Sequence, residues 1–373
     1  MDIQIIHIVL GKANPNKMNG VNKVVNELAT SQTNLGYAVS VWGITKSQVH
    51  NYPRRNYRTD LFMDKGMFSI DPAIRMRLES TSKNTIFHFH GGFIPQFYFV
   101  AKVLVKMGFK YVFTPHGAYN VMALERSKLK KKVFLQTFDK FVVKNAKRIH
   151  FIGQSEVGNG LDIFGSIPYS LIPNGQPLDS QMFEKDSHSE TNEPVFGFMG
   201  RLDIYTKGLD LLFAGFKEYT VNHNGKGVLW VIGDGTELPK LKEMAQNLGI
   251  SHLVDFKGSL FGEEKEMALK KINIFCLTSR NEGLPGVVLE AASHGIPSIV
   301  SKATNVNSYL EKHNSGWVLE ENSETCIAKT LATGQSIFST YAFDSYRENA
   351  FAMLQTDFNW TNIAKAHIRE YEK

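Results

Sequence analysis

Short runs of apolar and β-branched residues alternate along the chain with stretches of helical period. "IQIIHIVL" reads as a strand. After a Gly-containing loop, "GVNKVVNELATSQTNLG" places its apolar positions on one helical face. "AVSVWGI", "TIFHFHG", "YVFTPHG", "RIHFIG" and "YSLIPNG" continue the series, and "PVFGFMGR", "GVLWVIGDG", "HLVDFKG", "INIFCLTS", "PSIVS" and "GWVLE" repeat it. Strands separated by helices predict parallel sheets with right-handed crossovers. Two such series predict two doubly wound α/β domains. Between them lies the polar stretch "LDSQMFEKDSHSETNEP". The expected division is a first domain over 1–178, a linker over 179–193 and a second domain over 194–351. The C-terminal stretch reads as helices anchored by Phe351, Phe358, Trp360, Ile363 and Tyr371.

Composition agrees with this division. The 373 residues suit two or three domains, and 43% hydrophobic with 21% charged residues is ordinary for a chain with a sizeable core. Two cysteines, Cys276 and Cys326, exclude a disulfide framework or a zinc site and fit a reducing, cytoplasmic compartment. The start shows no basic segment ahead of its apolar run, and no run of 18 apolar residues appears, so neither a signal peptide nor a membrane span is expected. The net charge of +6 is unevenly placed: residues 101–150 carry +10 and the rest of the chain −4. Such a local basic field points to an anionic partner.

Ligands of open parallel sheets sit at the carboxyl ends of the strands, where this chain has several Gly-rich loops. After "VFGFMG" come Arg201, Lys207 and Gly208, ahead of an amphipathic helix. Two cations beside a helix start suit a diphosphate, although two surface cations would look the same. "VIGDGTEL" nearly matches a dinucleotide fingerprint through Gly233, Gly235 and Leu238, with Asp255 further on. The third glycine is missing, and the match does not follow the first strand, so nicotinamide binding is a weak alternative. "SRNEGLPGVVLEAASHGIPSIVS" puts Glu282 in a loop and Glu290 on a helix that starts after Pro285 and stops at Gly295. One carboxylate on an almost wholly apolar helix suggests a ligand contact. If the loop folds back over the helix start, both carboxylates and the N–H groups of Gly283 and Leu284 border one pocket, a mixture suited to a polyol phosphate.

Taken together these motifs resemble the retaining GT-B glycosyltransferases of the "glycosyl transferases group 1", or family 4, type. Glu282 and Glu290 match the family's E-x7-E element. The loop from Gly200 and Arg201 to Lys207 and Gly208, "GDGTE" at 233–237, "IPNG" at 172–175, "NGVNKVVNELA" at 19–29 and "TPHG" at 114–117 follow in the expected order. The resemblance implies two Rossmann-like domains facing across a cleft and a C-terminal helix, about 352–373, that crosses back to the first domain. It implies that Arg201 and Lys207 bind the donor diphosphate and stabilise the leaving group. Glu290 would hold the ribose, while Glu282 with the amides of Gly283 and Leu284 would hold the transferred sugar. His116 would sit at the reacting sugar, Gly20 would let backbone approach the diphosphate, and Gly258, Ser259 and Leu260 would border the base. Asn19 stands where the family often has a second glycine, which weakens the backbone contact expected there.

No Asp-x-Asp pair appears, so a metal clamp is not expected, and no cofactor beyond the substrate nucleotide-diphosphate sugar is implied. "ERSKLKKKVFLQTFDKFVVKNAKR" joins a cationic face to Leu129, Val133, Phe134, Phe138, Phe141 and Val142. It reads either as a helix with a solvated basic face or, over residues 126–148, as a contact with an anionic membrane surface or lipid pyrophosphate acceptor. The second reading expects peripheral attachment to the inner face of the cytoplasmic membrane. No nucleic-acid-binding motif is present. The expected activity is sugar transfer to a glycan or lipid-linked acceptor in surface-polysaccharide assembly. A nucleotide-sugar epimerase or hydrolase of the same fold, and a non-catalytic subunit of a glycosyltransferase complex, are the alternatives.

Overall fold

The two series of apolar runs form two parallel sheets. The computed structural model describes residues 3–14, 20–50, 54–120, 128–178, 183 and 193–373. It separates into one unit of Met1–Pro177 with Asn359–Lys373 and a second of Leu178–Phe358. The expected linker at 179–193 lies outside the described residues apart from 183 and 193.

The first unit holds strands β1 (Gln4–Leu10), β2 (Ala38–Thr45), β3 (Arg58–Met63), β4 (Thr85–His90), β5 (Lys110–Thr114), β6 (Arg148–Phe151) and β7 (Tyr169–Leu171), in the order β3-β2-β1-β4-β5-β6-β7. Its helices are α1 (Gly20–Asn34), α2 (Pro72–Glu79), α3 (Pro95–Lys106), α4 (Lys128–Phe134), α5 (Lys140–Asn145) and α6 (Gln154–Phe164). A π turn over Leu135–Asp139 joins α4 to α5. Side chains of a strand alternate between faces. Ile6, Ile8, Trp42, Phe87, Phe89 and Phe113 therefore share a core with Ile74, Leu78, Val100 and Leu104 of α2 and α3. Ile5, Val9, Val41, Ile86 and Val112 pack on the opposite side with Val25 and Ala29 of α1 and with Ile368 and Tyr371 of the C-terminal helix, Trp360–Glu372.

That helix does return to the first unit, but it starts at Trp360 and not near 352. Phe358 is buried in the second unit's core, and the Asn359 side chain accepts from the backbone N–H groups of Thr361 and Asn362, which opens a new helix there. Gly175 of "IPNG" lies under it: a Cβ at that glycine would stand 2.6 Å from the Trp360 indole. β3, which the apolar runs do not announce, is an edge strand whose "RTD" start is polar.

The second unit holds β8 (Val195–Met199), β9 (Val228–Ile232), β10 (Val254–Gly258), β11 (Ile274–Leu277), β12 (Ser298–Val300) and β13 (Gly316–Val318), in the order β10-β9-β8-β11-β12-β13. Its helices are α7 (Ile204–Lys207), α8 (Leu209–Asn222), α9 (Leu238–Asn247), α10 (Gly262–Leu269), α11 (Gly286–Ser293), α12 (Asn307–His313), α13 (Glu324–Phe338) and α14 (Ala342–Asp357). Phe196, Phe198, Leu229, Val231, Ile274 and Phe275 are fully buried. A sheet covered by helices on both faces requires such nearly continuous apolar strands. Among the described residues no helix is long and apolar enough to cross a membrane.

Candidate functional site

In the second unit the chain runs from β8 outward to β10, then returns to lay β11 on the other side of β8. The loops after β8 and β11 consequently flank the topological switch point, where open α/β sheets take their ligands. Lys207 closes the short helix α7 after β8, and Glu282 lies in the loop after β11. Lys207 Nζ stands 2.5 Å from Glu282 Oε1, and both side chains are largely buried. Ser279 Oγ donates to the same oxygen at 2.9 Å, and Asn305 Nδ2 donates to the Glu282 carbonyl at 2.7 Å. Glu282 is therefore held on both its side chain and its backbone. Gly208 makes this approach of loops possible: its φ is +63°, and a Cβ would lie 2.1 Å from the Thr278 carbonyl oxygen.

Arg201 differs from Lys207. Its side chain is 64% exposed, and its nearest carboxylate, Asp203 Oδ2, is 3.8 Å away. Asp203 caps α7 by accepting from Thr206 N. Glu290 lies one turn into α11 and is paired with Lys265 of α10 at 2.6 Å. Gly283 and Leu284 precede that helix, whose N-cap Pro285 supplies no side-chain cap, so the helix start is left to other partners. Gly258, Ser259 and Leu260 lie where β10 ends, and Gly258 accepts from Gly233 N at the end of β9. The near-fingerprint glycines have a packing role here: a Cβ at Gly233 would lie 1.9 Å from the Gly200 carbonyl oxygen, and one at Gly235 2.6 Å from that of Leu202.

The first unit carries His116 in the turn after β5, and Gly20 opens α1. Asn19 lies outside the described residues. His116 has φ +55°, an uncommon conformation for a residue with a β-carbon. Gly117 follows with φ +79° and donates its N–H to Glu156 Oε1 at 2.6 Å. Burial raises the Glu156 carboxyl to about 7, opposed by the backbone N–H groups it accepts from. The π turn and its neighbours make a second such contact: Asp139, raised to about 6 by burial, accepts from Tyr119 Oη at 3.0 Å.

The surroundings of His116 belong to none of the sequence motifs above. The strand face under α1 and the C-terminal helix carries His7, His88, His90 and His150, and His367 of that helix joins them. All five are buried, and burial lowers each imidazole: His7 to about 4, His150 to about 3, and His88, His90 and His367 well below the ordinary value. The alternation in "FHFH" was the available signal, since it places His88 and His90 on one face. Two trios, His7 with His88 and His90, and His88 with His150 and His367, bring ligand nitrogens within 4.8 Å of one another and could hold a metal. Both ring nitrogens of His7, His88 and His90 are already engaged in hydrogen bonds or close ring contacts with their neighbours, so a metal would have to displace those contacts.

Of the basic segment 126–148, residues 126 and 127 lie outside the described part. Within it Val142 is buried and Phe134, Phe138 and Phe141 are half-buried, whereas Leu129 and Val133 are exposed, one helical turn apart and close to the exposed Lys130 and Lys132.

The family model "Glycosyl transferases group 1" matches residues 179–333, and "Glycosyltransferase Family 4" matches 18–180. An uncharacterized glycosyltransferase of Methanocaldococcus jannaschii is 27% identical over 193 residues, 51% of this chain and 47% of that one. The chain thus spans about half the length of that curated relative. The Escherichia coli UDP-Gal:alpha-D-GlcNAc-diphosphoundecaprenol alpha-1,3-galactosyltransferase is 30% identical over 165 residues, 41% of each chain. Among solved structures, Anabaena HepE in complex with UDP and glucose superposes with a TM-score of 0.71 at 15% identity, covering 99% of both chains.

Proposed function

The chain belongs to the GT-B glycosyltransferases of group 1, and from that premise we propose that it moves a sugar from a nucleoside-diphosphate sugar to a glycan or lipid-linked acceptor, with retention and without a metal ion. The observation that carries this reading is the Lys207–Glu282 pair at the switch point of the second sheet. Sugar transfer passes through an oxocarbenium-like state while the diphosphate gathers negative charge. The Lys207 ammonium and the Arg201 guanidinium lie in the loop that faces such a leaving group, and the α11 N-terminus adds its dipole. Glu282, fixed by Ser279 and Asn305, accepts from hydroxyls of the transferred sugar with the amides of Gly283 and Leu284 beside it. Glu290 accepts from the ribose, and Gly258, Ser259 and Leu260 border the base. Within the first unit, His116 is assigned to a hydroxyl of the sugar substrate.

A UDP-sugar donor is favoured by the UDP and glucose in the HepE complex, and a lipid diphosphate acceptor by the E. coli relative's substrate. Surface-polysaccharide assembly is the matching role. Exposed Leu129 and Val133 beside Lys130 and Lys132 suit peripheral contact with an anionic membrane. Flotation with anionic liposomes checks this, and no binding at low salt removes it.

Lys207→Ala tests the central reading. Turnover should fall by about 10²–10³-fold, as when one donor to a developing anion is lost, while circular dichroism stays unchanged. Normal turnover in the folded variant refutes the assignment. Product analysis with and without acceptor separates transfer from epimerisation or hydrolysis.

A further inference from the structure

The buried histidines beside His116 form a directed chain. His7 Nε2 meets Gln32 Oε1 at 2.7 Å, His7 Nδ1 meets His90 Nε2 at 2.8 Å, and His90 Nδ1 meets His116 Nε2 at 2.9 Å. A neutral imidazole has one N–H and one lone pair, so each contact fixes the next. The Gln32 carbonyl only accepts, which makes His7 Nε2 a donor and His7 Nδ1 an acceptor. His90 Nε2 must then carry the proton that meets it, leaving His90 Nδ1 to accept. His116 Nε2 in turn donates, and His116 Nδ1 is left as a lone pair. That atom is shut from solvent and has no hydrogen-bond partner among the described residues.

Gln32 is itself oriented. Its Nε2 donates to Tyr371 Oη at 3.4 Å, Tyr371 Oη meets His88 Nδ1 at 2.7 Å, and His88 Nε2 meets Thr114 Oγ1 at 2.7 Å. With its nitrogen on Tyr371 of the C-terminal helix, the amide turns its oxygen to His7. A reversed amide would invert every donor down to His116.

We propose that Gln32 is a positioning residue which, through His7 and His90, holds His116 in its Nε2–H tautomer and so presents the Nδ1 lone pair to a hydroxyl of the sugar substrate. This rests on the reading of His116 as the residue that faces the sugar. It also restricts the substrate. A hydroxyl can donate to that lone pair and offset the cost of its burial, whereas a carboxylate or phosphate oxygen offers only repulsion between lone pairs.

The test is nitrogen NMR of the full chain labelled in its histidines, where long-range proton couplings report which ring nitrogen is protonated. The expected wild-type result at neutral pH is Nε2–H at His7, His90 and His116. Gln32→Met, similar in shape but without an amide, should populate the Nδ1–H form at His116 and lower kcat/KM for a hydroxylated donor. A wild-type His116 carrying its proton on Nδ1 overturns the proposal, whether or not the variant folds. So does a folded Gln32→Met whose His116 signals are unchanged. Should the tautomers hold while His116→Ala retains full turnover, the sugar-facing reading of His116 fails and the tautomer chain stands. With the tautomers reversed and His116→Ala inactive, the chain fails and that reading stands.

Discussion

Acidification should unfold the first unit well before ordinary carboxylates titrate. His7, His88, His90, His150 and His367 are buried and neutral in the fold, with burial the largest cause of each lowered value. Unfolded, each would titrate near 6.5. At pH 5.5 the unfolded chain thus binds nearly five protons at these positions that the folded chain refuses. Glu156 and Asp139 act the opposite way: burial raises them to about 7 and about 6, so at pH 5.5 they hold protons in the fold that the unfolded chain releases. The balance is about three protons in favour of the unfolded state, or a loss of about 4 kcal/mol per pH unit. His116, lowered to about 3 by burial, acts in the same direction and steepens this loss. Against a total stability of about 5–15 kcal/mol, this brings acid unfolding within a few pH units of neutrality. The assay is urea unfolding from pH 7 to 5 in a Trp230→Phe, Trp317→Phe background, where Trp42 and Trp360 report the first unit. His150→Leu should reduce the slope by about 1 kcal/mol per pH unit. Stability that is flat or rising as the pH falls from 6.5 to 5.5 would show that these histidines are not held neutral in the fold.

Gly208→Ala should destabilise the second unit by several kcal/mol, because its Cβ would lie 2.1 Å from the Thr278 carbonyl oxygen at φ +63°; a melting temperature equal to wild type contradicts this. Glu290→Gln should weaken binding of the donor nucleotide more than it lowers saturated turnover, since its proposed contact is to the ribose; calorimetry showing unchanged affinity removes that role. Tyr371→Phe deletes the oxygen that orients the Gln32 amide, so it should mix the His116 tautomers while leaving the donor affinity of the second unit intact. A single wild-type tautomer in that variant argues that the amide is oriented by something else.

The alternation of strands and helices was legible because a parallel sheet covered on both faces needs nearly continuous apolar strands, and twelve of them announce themselves. β3 did not, since an edge strand beginning "RTD" need not be apolar. The end of the second unit was misplaced for a different reason. Phe351, Phe358 and Trp360 all look like anchors in the sequence, and only the packing shows Phe358 in one core and Trp360 in the other. At the candidate site, the loop placement of Glu282 and the helical placement of Glu290 followed from Pro285 and Gly295. Their partners did not follow. Lys207 meets Glu282 because β8 and β11 are neighbours, an adjacency not written locally, and the pairing of Lys265 with Glu290 across 25 residues is no more legible. The histidine chain draws on β1, β4, the turn after β5, α1 and the C-terminal helix, so only the topology assembles it.

Donor binding is tested directly by calorimetric titration of the wild-type protein with UDP, GDP, ADP and NADH. Saturable binding of a nucleoside diphosphate, UDP foremost, is expected, and none of NADH. Binding of NADH with no response to any of the three diphosphates would contradict this.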